Sequence, residues 1–325
     1  MPHQSRSTLP NRRGLLVGLL VAIAAAAITA IIFLPDSQES KARRAYRNAF
    51  SAAYISASMR AELKGIGEPV ALRALTGLLE EGTSPFARWY ATIYSNTPAA
   101  MQKHLSAPVD HVRILASSIT TLREHGTNAG RAVRSLGHLC ENAEPSMAVV
   151  RFMAASTLGD IGPAAAPAIP SLLKGVIATN GLALGTVTDA LAKIDSSGDR
   201  TDQAWRELLK RSKQAAQASN LVANCLASLR VSRSTQGLSQ VNASVVPWTT
   251  IQFFGFVRSE ASQVVPEIRG CLQHSNERIR ALAANTLGRI GPAASEALPD
   301  LRMLLTDEWL MVREVATNAV RAIER

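Results

Sequence analysis

The chain has 325 residues, carries a formal net charge of +10, and is 47% hydrophobic but only 5% aromatic. This length is ample for a buried core, and the apolar residues are mainly Ala and Leu, which are strong helix formers. No sustained alternation of apolar and polar residues is present, so the composition excludes a β-rich fold and predicts an all-α protein.

The first predicted element is a membrane-spanning helix at residues 14–34. This segment, GLLVGLLVAIAAAAITAIIFL, has no charged residue, and about 20 such residues cross a bilayer as a helix. It follows Arg12 and Arg13 and ends at Pro35. We interpret it as an uncleaved signal anchor of a single-pass membrane protein, with residues 1–13 inside and the rest of the chain on the outer side. The alternative is a cleaved signal peptide, which would leave a secreted protein.

Residues 35–60 are predicted to form a basic juxtamembrane helix. Tyr46, Phe50 and Tyr54 follow at four-residue spacing, which places them on one helix face. This face has two interpretations: it contacts lipid headgroups, or it is the apolar face that begins the next domain. The basic residues of the helix are Lys41, Arg43, Arg44 and Arg47.

Internal repeats dominate the rest of the chain. Residues 150–174 recur 129 positions later as residues 279–303, with 14 of 25 positions identical. Weaker copies recur at much shorter distances, and Ile279 and Arg280, for example, are followed by Val312 and Arg313. A period of about 30–45 residues is typical of helical repeat proteins, in which each unit buries its apolar face against its neighbours.

The sequence of a single repeat unit predicts two amphipathic helices. The first has an apolar face from Val150 to Ile161 at helical spacing. Gly162 and Pro163 predict its end, because Gly adopts a left-handed cap and Pro cannot continue the helix. Pro170 fits the first turn of the second helix, where the lost N–H has no helical partner.

The pattern V-R-x-x-A-A-x-x-L-G-x-I-G-P-x-A-x-x-A-I-P-x-L resembles HEAT repeats, in particular the short HEAT-like repeats of the phycobilisome-lyase type. The resemblance is clear over residues 145–175 and 275–325 and poor over 195–250. It implies a right-handed α-solenoid of stacked, armadillo-like antiparallel helix pairs over residues 61–325, preceded by one transmembrane helix. It also implies polar ladders between repeats, for which the sequence offers Asp110/Arg113, Glu277/Arg280 and Asp307/Arg313.

The repeat motif is specific for the fold but indicates little about function, since such repeats serve many roles. We predict a membrane-tethered scaffold for protein–protein interaction. One alternative, implied by the resemblance alone, is a lyase or isomerase that acts on a bilin-type chromophore. Another is nucleic-acid binding through a basic face, for which the positive net charge has the right sign. With the solenoid outside the membrane, we expect neither a nucleic acid nor a small-molecule substrate.

Motifs that carry chemistry are missing from the sequence. It contains no Gly-x-Ser-x-Gly, no His-Glu-x-x-His and no Walker loop. The three cysteines, Cys140, Cys225 and Cys271, form no Cys-x-x-Cys pair and are interpreted as core thiols. We therefore predict that the chain is not an enzyme and holds neither metal nor cofactor.

A basic stripe is the one predicted binding surface. Arg269 and Arg302 stand at the repeat position that Leu173 occupies in another copy, and two further cations fall close by in their own units. The predicted partner-binding residues are Arg134, Lys174, Arg269 and Arg302. Such a stripe suits an acidic protein partner, whereas the alternative is a set of solvated side chains.

Overall fold

The structure, a computed structural model, describes residues 37–52, 55–82, 111–234 and 247–325. Within these ranges the regular elements are helices and no strand occurs, which confirms the all-α class. The α-helices, in chain order, are α1 (Gln38–Ser51), α2 (Ala57–Lys64), α3 (Glu68–Gly82), α4 (His111–Glu124), α5 (Val133–Glu141), α6 (Ala148–Ile161), α7 (Ile169–Ala178), α8 (Leu184–Ile194), α9 (Asp199–Leu209), α10 (Ser212–Ser234), α11 (Pro247–Phe254), α12 (Ala261–Gly270), α13 (Glu277–Ile290), α14 (Leu298–Met303) and α15 (Leu310–Ile323).

The helices stack in two layers, as a helical repeat solenoid requires. In the first layer α4, α6, α8, α11, α13 and α15 pack in that order, each against the next. In the second layer α5 packs on α7, α7 on α10, and α10 on α12. The buried apolar side chains of the described residues form one continuous core along the stack. Each unit thus completes its core with its neighbours, while the right-handed sense of the stack stays a prediction.

The two strongest sequence copies adopt the same local structure. α6 ends at Gly162 with φ 74° and ψ −144°, and α13 ends at Gly291 with φ 76° and ψ −144°. A 3₁₀ helix follows in each copy, at Gly162–Ala168 and Gly291–Ala297. The predicted helix end is confirmed, but the glycine does not adopt the expected left-handed cap. Its ψ places it in a region that is essentially restricted to glycine.

A second glycine of the motif brings first-layer helices close together. A Cβ atom on Gly159 of α6 would lie 2.9 Å from the Cα of Ala190 on α8. A Cβ atom on Gly288 of α13 would lie 2.8 Å from the Cα of Ala319 on α15. Carbon atoms normally pack at about 3.5–4.0 Å, so only glycine fits at this position.

Helix α1 packs as part of the stack. Tyr46 and Phe50 are buried, with ring centroids 5.6 Å apart, and α1 contacts both α3 and α4. Of the two interpretations of this aromatic face, the structure therefore favours the apolar start of the repeats. Tyr54, the third member, lies outside the described residues.

The predicted membrane span, residues 14–34, also lies outside the described residues. Within them, one stretch is long and apolar enough to cross a membrane, Pro145–Ala178, and half of its most apolar window is buried inside the protein. This stretch consists of α6 and α7, separated by Gly162 and its 3₁₀ helix. We interpret it as a pair of core helices.

The repeat pattern changes between residues 195 and 254, where the sequence resemblance is poor. Helix α9 is added here, and α10 is 23 residues long. Trp205 of α9 is fully buried, with its ring edge-on to Phe253 at 5.7 Å. Its indole N–H donates to Glu260 at 3.0 Å. This aromatic contact replaces the alanine-rich packing of the regular repeats.

Candidate functional site

Ion pairs connect side chains that lie about one repeat apart. Lys193 pairs with Asp160, 33 residues earlier, at 2.8 Å, and Arg123 reaches the same carboxylate at 2.6 Å. These three residues lie on or at the end of successive first-layer helices, α4, α6 and α8. An exposed ion pair contributes only about 0–1 kcal/mol, but a series of them favours one relative position of neighbouring repeats.

The predicted basic stripe takes part in these inter-repeat bridges. Lys174 lies 3.1 Å from Glu141, and Arg302 lies 2.8 Å from Glu324. Arg269 pairs with Asp300. Arg134 is exposed, and among the described residues it makes no ion pair. The structure thus brings three of the four cations onto carboxylates of adjacent helices, and the binding role of the stripe stays a prediction.

A repeated arginine binds the turn that precedes three of the first-layer helices. Arg151, Arg280 and Arg313 donate to backbone carbonyls of the turn before α6, α13 and α15 respectively. Of the predicted ladders, Glu277/Arg280 is replaced by a pair between Arg280 and the Asp307 of the next unit. Asp110 lies outside the described residues, and Arg313 donates to the backbone carbonyl of Asp307. A polar bridge between repeats is therefore present at Arg280, but with a different carboxylate from the predicted one.

A cleft of about 550 Å³ opens next to this pair, between the turn before α13 and the turn before α15. We call it the C-terminal cleft. Its lining residues are Leu272, Gln273, His274, Ser275, Arg280, Asp300, Met303, Leu304, Asp307 and Glu308. The two turns are held in place by Arg280, whose guanidinium binds the carbonyls of His274 and Ser275 at 2.8 and 3.1 Å.

The Arg280–Asp307 pair sets the electrostatics of the cleft. Nε and Nη2 of Arg280 donate to the two carboxylate oxygens of Asp307 at 2.8 and 3.0 Å. These hydrogen bonds raise the pKa of Arg280 and hold the pKa of Asp307 below its usual value. Burial, aided by the charge of Arg280, lowers the pKa of His274. His274 is therefore neutral near pH 7, and its Nδ1 accepts from the backbone N–H of Asn276 at 3.0 Å.

Exposed apolar side chains follow in the chain after Met303, which lines the C-terminal cleft. Most of the exposed large hydrophobic side chains in the described ranges are concentrated here, between the end of α14 and the start of α15. We call them the cleft rim: Met303, Leu305, Trp309, Leu310 and Met311. The cleft itself is lined mainly by polar and charged side chains, and an exposed apolar cluster beside it in the chain marks a candidate interaction site.

Sequence reasoning missed the cleft, although the repeats contain a signal for it. Met303 is the counterpart of Lys174 when the two strongest copies are aligned. Leu310 and Met311 are the counterparts of Glu277 and Arg278 in the preceding copy. Apolar residues that replace charged ones at a repeat position indicate a surface feature specific to that unit.

Other ionisable groups in the described part of the chain form no candidate metal or catalytic site. Across residues 37–52, 55–82, 111–234 and 247–325, no three His, Cys, Asp or Glu side chains are placed to hold a metal ion. The three cysteines are buried thiols. Burial raises the pKa of Cys140 to about 12 and that of Cys225 to about 11, so these thiols are poor nucleophiles.

Comparison with known proteins gives one family match. The sequence profile described as HEAT repeats matches residues 235–321. No curated protein matches the chain. Among solved structures, the chain is similar to human deoxyhypusine hydroxylase in complex with glycerol, with 20% identity over 88% of this chain and 97% of that chain and a TM-score of 0.26. So distant a similarity supports no inference about substrate or cofactor.

The comparison does correct one prediction. The chain was expected not to be an enzyme, because it has helical repeats and no catalytic motif. This prediction is corrected, because a solved structure to which the chain is similar is that of an enzyme, and a repeat fold does not determine function. Helical repeats therefore do not exclude catalysis.

The phycobilisome-lyase subtype is not confirmed by these comparisons, whereas the general resemblance to HEAT repeats is supported. The HEAT-repeat profile matches residues 235–321, and in the described part of this range, residues 247–321, the helices pack in pairs as such repeats require.

Proposed function

We propose that this protein is a membrane-tethered HEAT-repeat scaffold that binds a protein partner, with the C-terminal cleft as a main contact surface. The stacked repeats supply a rigid surface, and the ion pairs between repeats favour one arrangement of it. Helical repeats of this kind commonly present extended binding surfaces.

The observation that carries this proposal is the exposure of the cleft rim. Met303 is 68% exposed, Leu310 61% and Met311 65%, and Trp309 is 51% exposed beside them. Large apolar side chains gathered at a cleft are stabilised when a partner removes them from water, by roughly 25 cal/mol per Å². Trp in particular is enriched among the residues that dominate binding energy.

Tethering is supported by the sequence next to the first helix. Residues 14–34 are uncharged and long enough to span a bilayer, and α1 begins at Gln38. Even a fully extended linker over residues 35–37 reaches only about 10 Å, so the repeats would stay at the membrane surface. We propose that they lie on the outer side, with residues 1–13 inside.

Photo-crosslinking in native membranes tests the binding role. A photoreactive amino acid replaces Met303 in the full-length chain, and the matched control places it at Asn318, an exposed position about two helical turns beyond Met311 on α15. We expect one defined protein partner to be crosslinked from Met303 and not from Asn318. Equal products from both positions, or none from Met303, would contradict the proposed contact surface.

Membrane extraction tests the tether separately. Full-length protein is expected to stay in the pellet after alkaline carbonate treatment, because a spanning helix is not released by removing peripheral contacts. A variant without residues 14–34 is expected in the supernatant. Release of the full-length chain into the supernatant would rule out the membrane anchor but would not bear on the C-terminal cleft as a binding surface. A reporter fused to Arg325 shows which side carries the repeats.

A further inference from the structure

Exposed apolar side chains recur at equivalent positions of different repeats. Alignment of the copies places Val149, Leu182 and Met311 at one repeat position. Phe152 and Trp248 share a second position, slightly further along the unit. All five are exposed, at 61, 56, 65, 53 and 39% respectively. A core position repeats because the fold needs it, but an exposed apolar position gains no stability from repetition.

These residues lie along one edge of the first layer. Val149 and Phe152 are within the first five residues of α6, and Leu182 lies two residues before α8. Trp248 is in the first turn of α11, and Met311 is in the first turn of α15. Since α6, α8, α11, α13 and α15 are successive neighbours, we call this set the apolar row. With about 8–10 Å between packed helix axes, the row spans roughly 30–40 Å.

The charges beside the apolar row are mostly negative. Glu144 is exposed in the turn before α6, and Glu308, 81% exposed, lies in the turn before α15. Glu314 is exposed on α15 at the position equivalent to Phe152. Arg278 of α13 is an exposed cation in the row. Carboxylates at both ends of the row repel an anionic bilayer and attract Lys and Arg.

We propose that the apolar row is a docking surface for an amphipathic protein segment whose apolar side chains are flanked by Lys or Arg. This rests on the proposed scaffold function and specifies the chemistry of the partner. A helical segment of roughly 20–27 residues matches the length of the row at about 1.5 Å per residue. The carboxylates at the two ends of the apolar row orient the Lys and Arg side chains of the bound segment. Arg278, which interrupts the row, accommodates an acidic or polar side chain of that segment.

The test uses the full-length chain in nanodiscs of neutral lipid and a peptide of Leu and Lys at helical amphipathic spacing that carries a benzophenone group. A matched peptide replaces each Lys with Glu. Crosslinked residues are mapped by mass spectrometry, so peptide that binds lipid does not register. One variant carries Val149→Ser, Phe152→Ser and Leu182→Ser, and the control variant carries Met303→Ser and Leu305→Ser in the cleft rim. Thermal melting is expected to be unchanged in both, since these side chains are exposed.

We expect the Leu/Lys peptide to crosslink at residues 147–152, 182–185, 248 and 309–311. In the row variant the yield of crosslinked Leu/Lys peptide is expected to fall by about tenfold or more, whereas in the cleft variant it should equal that of the wild type. The Leu/Glu peptide is expected to crosslink at least several-fold less.

Equal yields from the two peptides would overturn the charge preference, and equal yields from wild type and row variant would overturn the docking surface. Concentration-dependent dimers that the row variant abolishes would show that a second copy covers the row instead. If only the apolar-row proposal is wrong, the photoreactive group at position 303 still crosslinks a protein partner in native membranes. If the scaffold function itself is wrong, that crosslinked partner is missing too.

Discussion

Arg280 and Asp307 lie 27 residues apart and are connected by two charge-assisted hydrogen bonds between consecutive HEAT units. Their side chains are only 10% and 7% exposed, whereas the partners of the pair Arg302–Glu324 are 59% and 45% exposed. Since screening by water weakens exposed pairs, the two bridges should contribute very differently to stability.

Removal of the buried partner gives the first prediction. Arg280→Ala leaves the Asp307 carboxylate and two turn carbonyls without their donor, and we expect it to lower the free energy of unfolding by about 3 kcal/mol. Arg302→Ala should lower it by at most about 1 kcal/mol. Urea unfolding followed by circular dichroism measures both, and equal losses would argue against the difference in burial as the cause.

The pKa of Asp307 predicts a dependence on pH. Because hydrogen bonds from Arg280 lower this pKa in the folded state, the stabilisation is present above the unfolded pKa of about 3.9 and is lost as the pH falls through the folded value. The difference in unfolding free energy between wild type and Asp307→Asn should be constant from about pH 5 to 7 and shrink below about pH 4. A difference that stays constant throughout the acid range would contradict this assignment.

The close approach of α13 and α15 predicts the effect of a single methyl group. Gly288→Ala places a Cβ 2.8 Å from the Cα of Ala319, and backbone cannot move aside as a flexible side chain can. We expect a loss of about 1–3 kcal/mol. Gly130→Ala is the matched control, because nothing lies within 4 Å of its Cβ. Its stability should change by about 0.5 kcal/mol or less.

Gly291 has a different reason to be glycine. Nothing lies within 4 Å of a Cβ at this position, so packing does not forbid alanine. Its φ of 76° with ψ of −144° does, and we expect Gly291→Ala to lower the unfolding free energy by about 1–3 kcal/mol. Thermal melts of both glycine variants would show the two losses. Because Gly288 and Gly291 are one helical turn apart, we expect the loss in the double variant to differ from the sum of the two single losses.

The buried thiols predict slow chemical labelling. With the pKa of Cys140 raised to about 12 and that of Cys225 to about 11, little thiolate exists at pH 8 in the folded protein. A disulfide exchange reagent should therefore react slowly under native conditions and label all three cysteines after unfolding in guanidinium. Rapid native labelling of Cys140 would show that α5 opens locally.

Helix boundaries within a repeat were predictable because their causes are local. Gly162 followed by Pro163 ends α6, and Pro170 lies in the first turn of α7. The apolar residues from Val150 to Ile161 are buried where helical spacing places them on one face. By contrast, the addition of α9 has no periodic signal, so in residues 195–250 the sequence indicates only a departure from the repeat pattern.

The sequence by itself determined the repeat unit, its two helices and its glycine and proline positions, since propensity, capping and periodicity act over a few residues. Only the tertiary structure decided which groups of different repeats meet. Leu173 is buried, whereas Arg302 at the equivalent position is exposed and bridges to Glu324. The same repeat position is covered or open according to the helices stacked over it, and stacking depends on contacts between residues far apart in the chain.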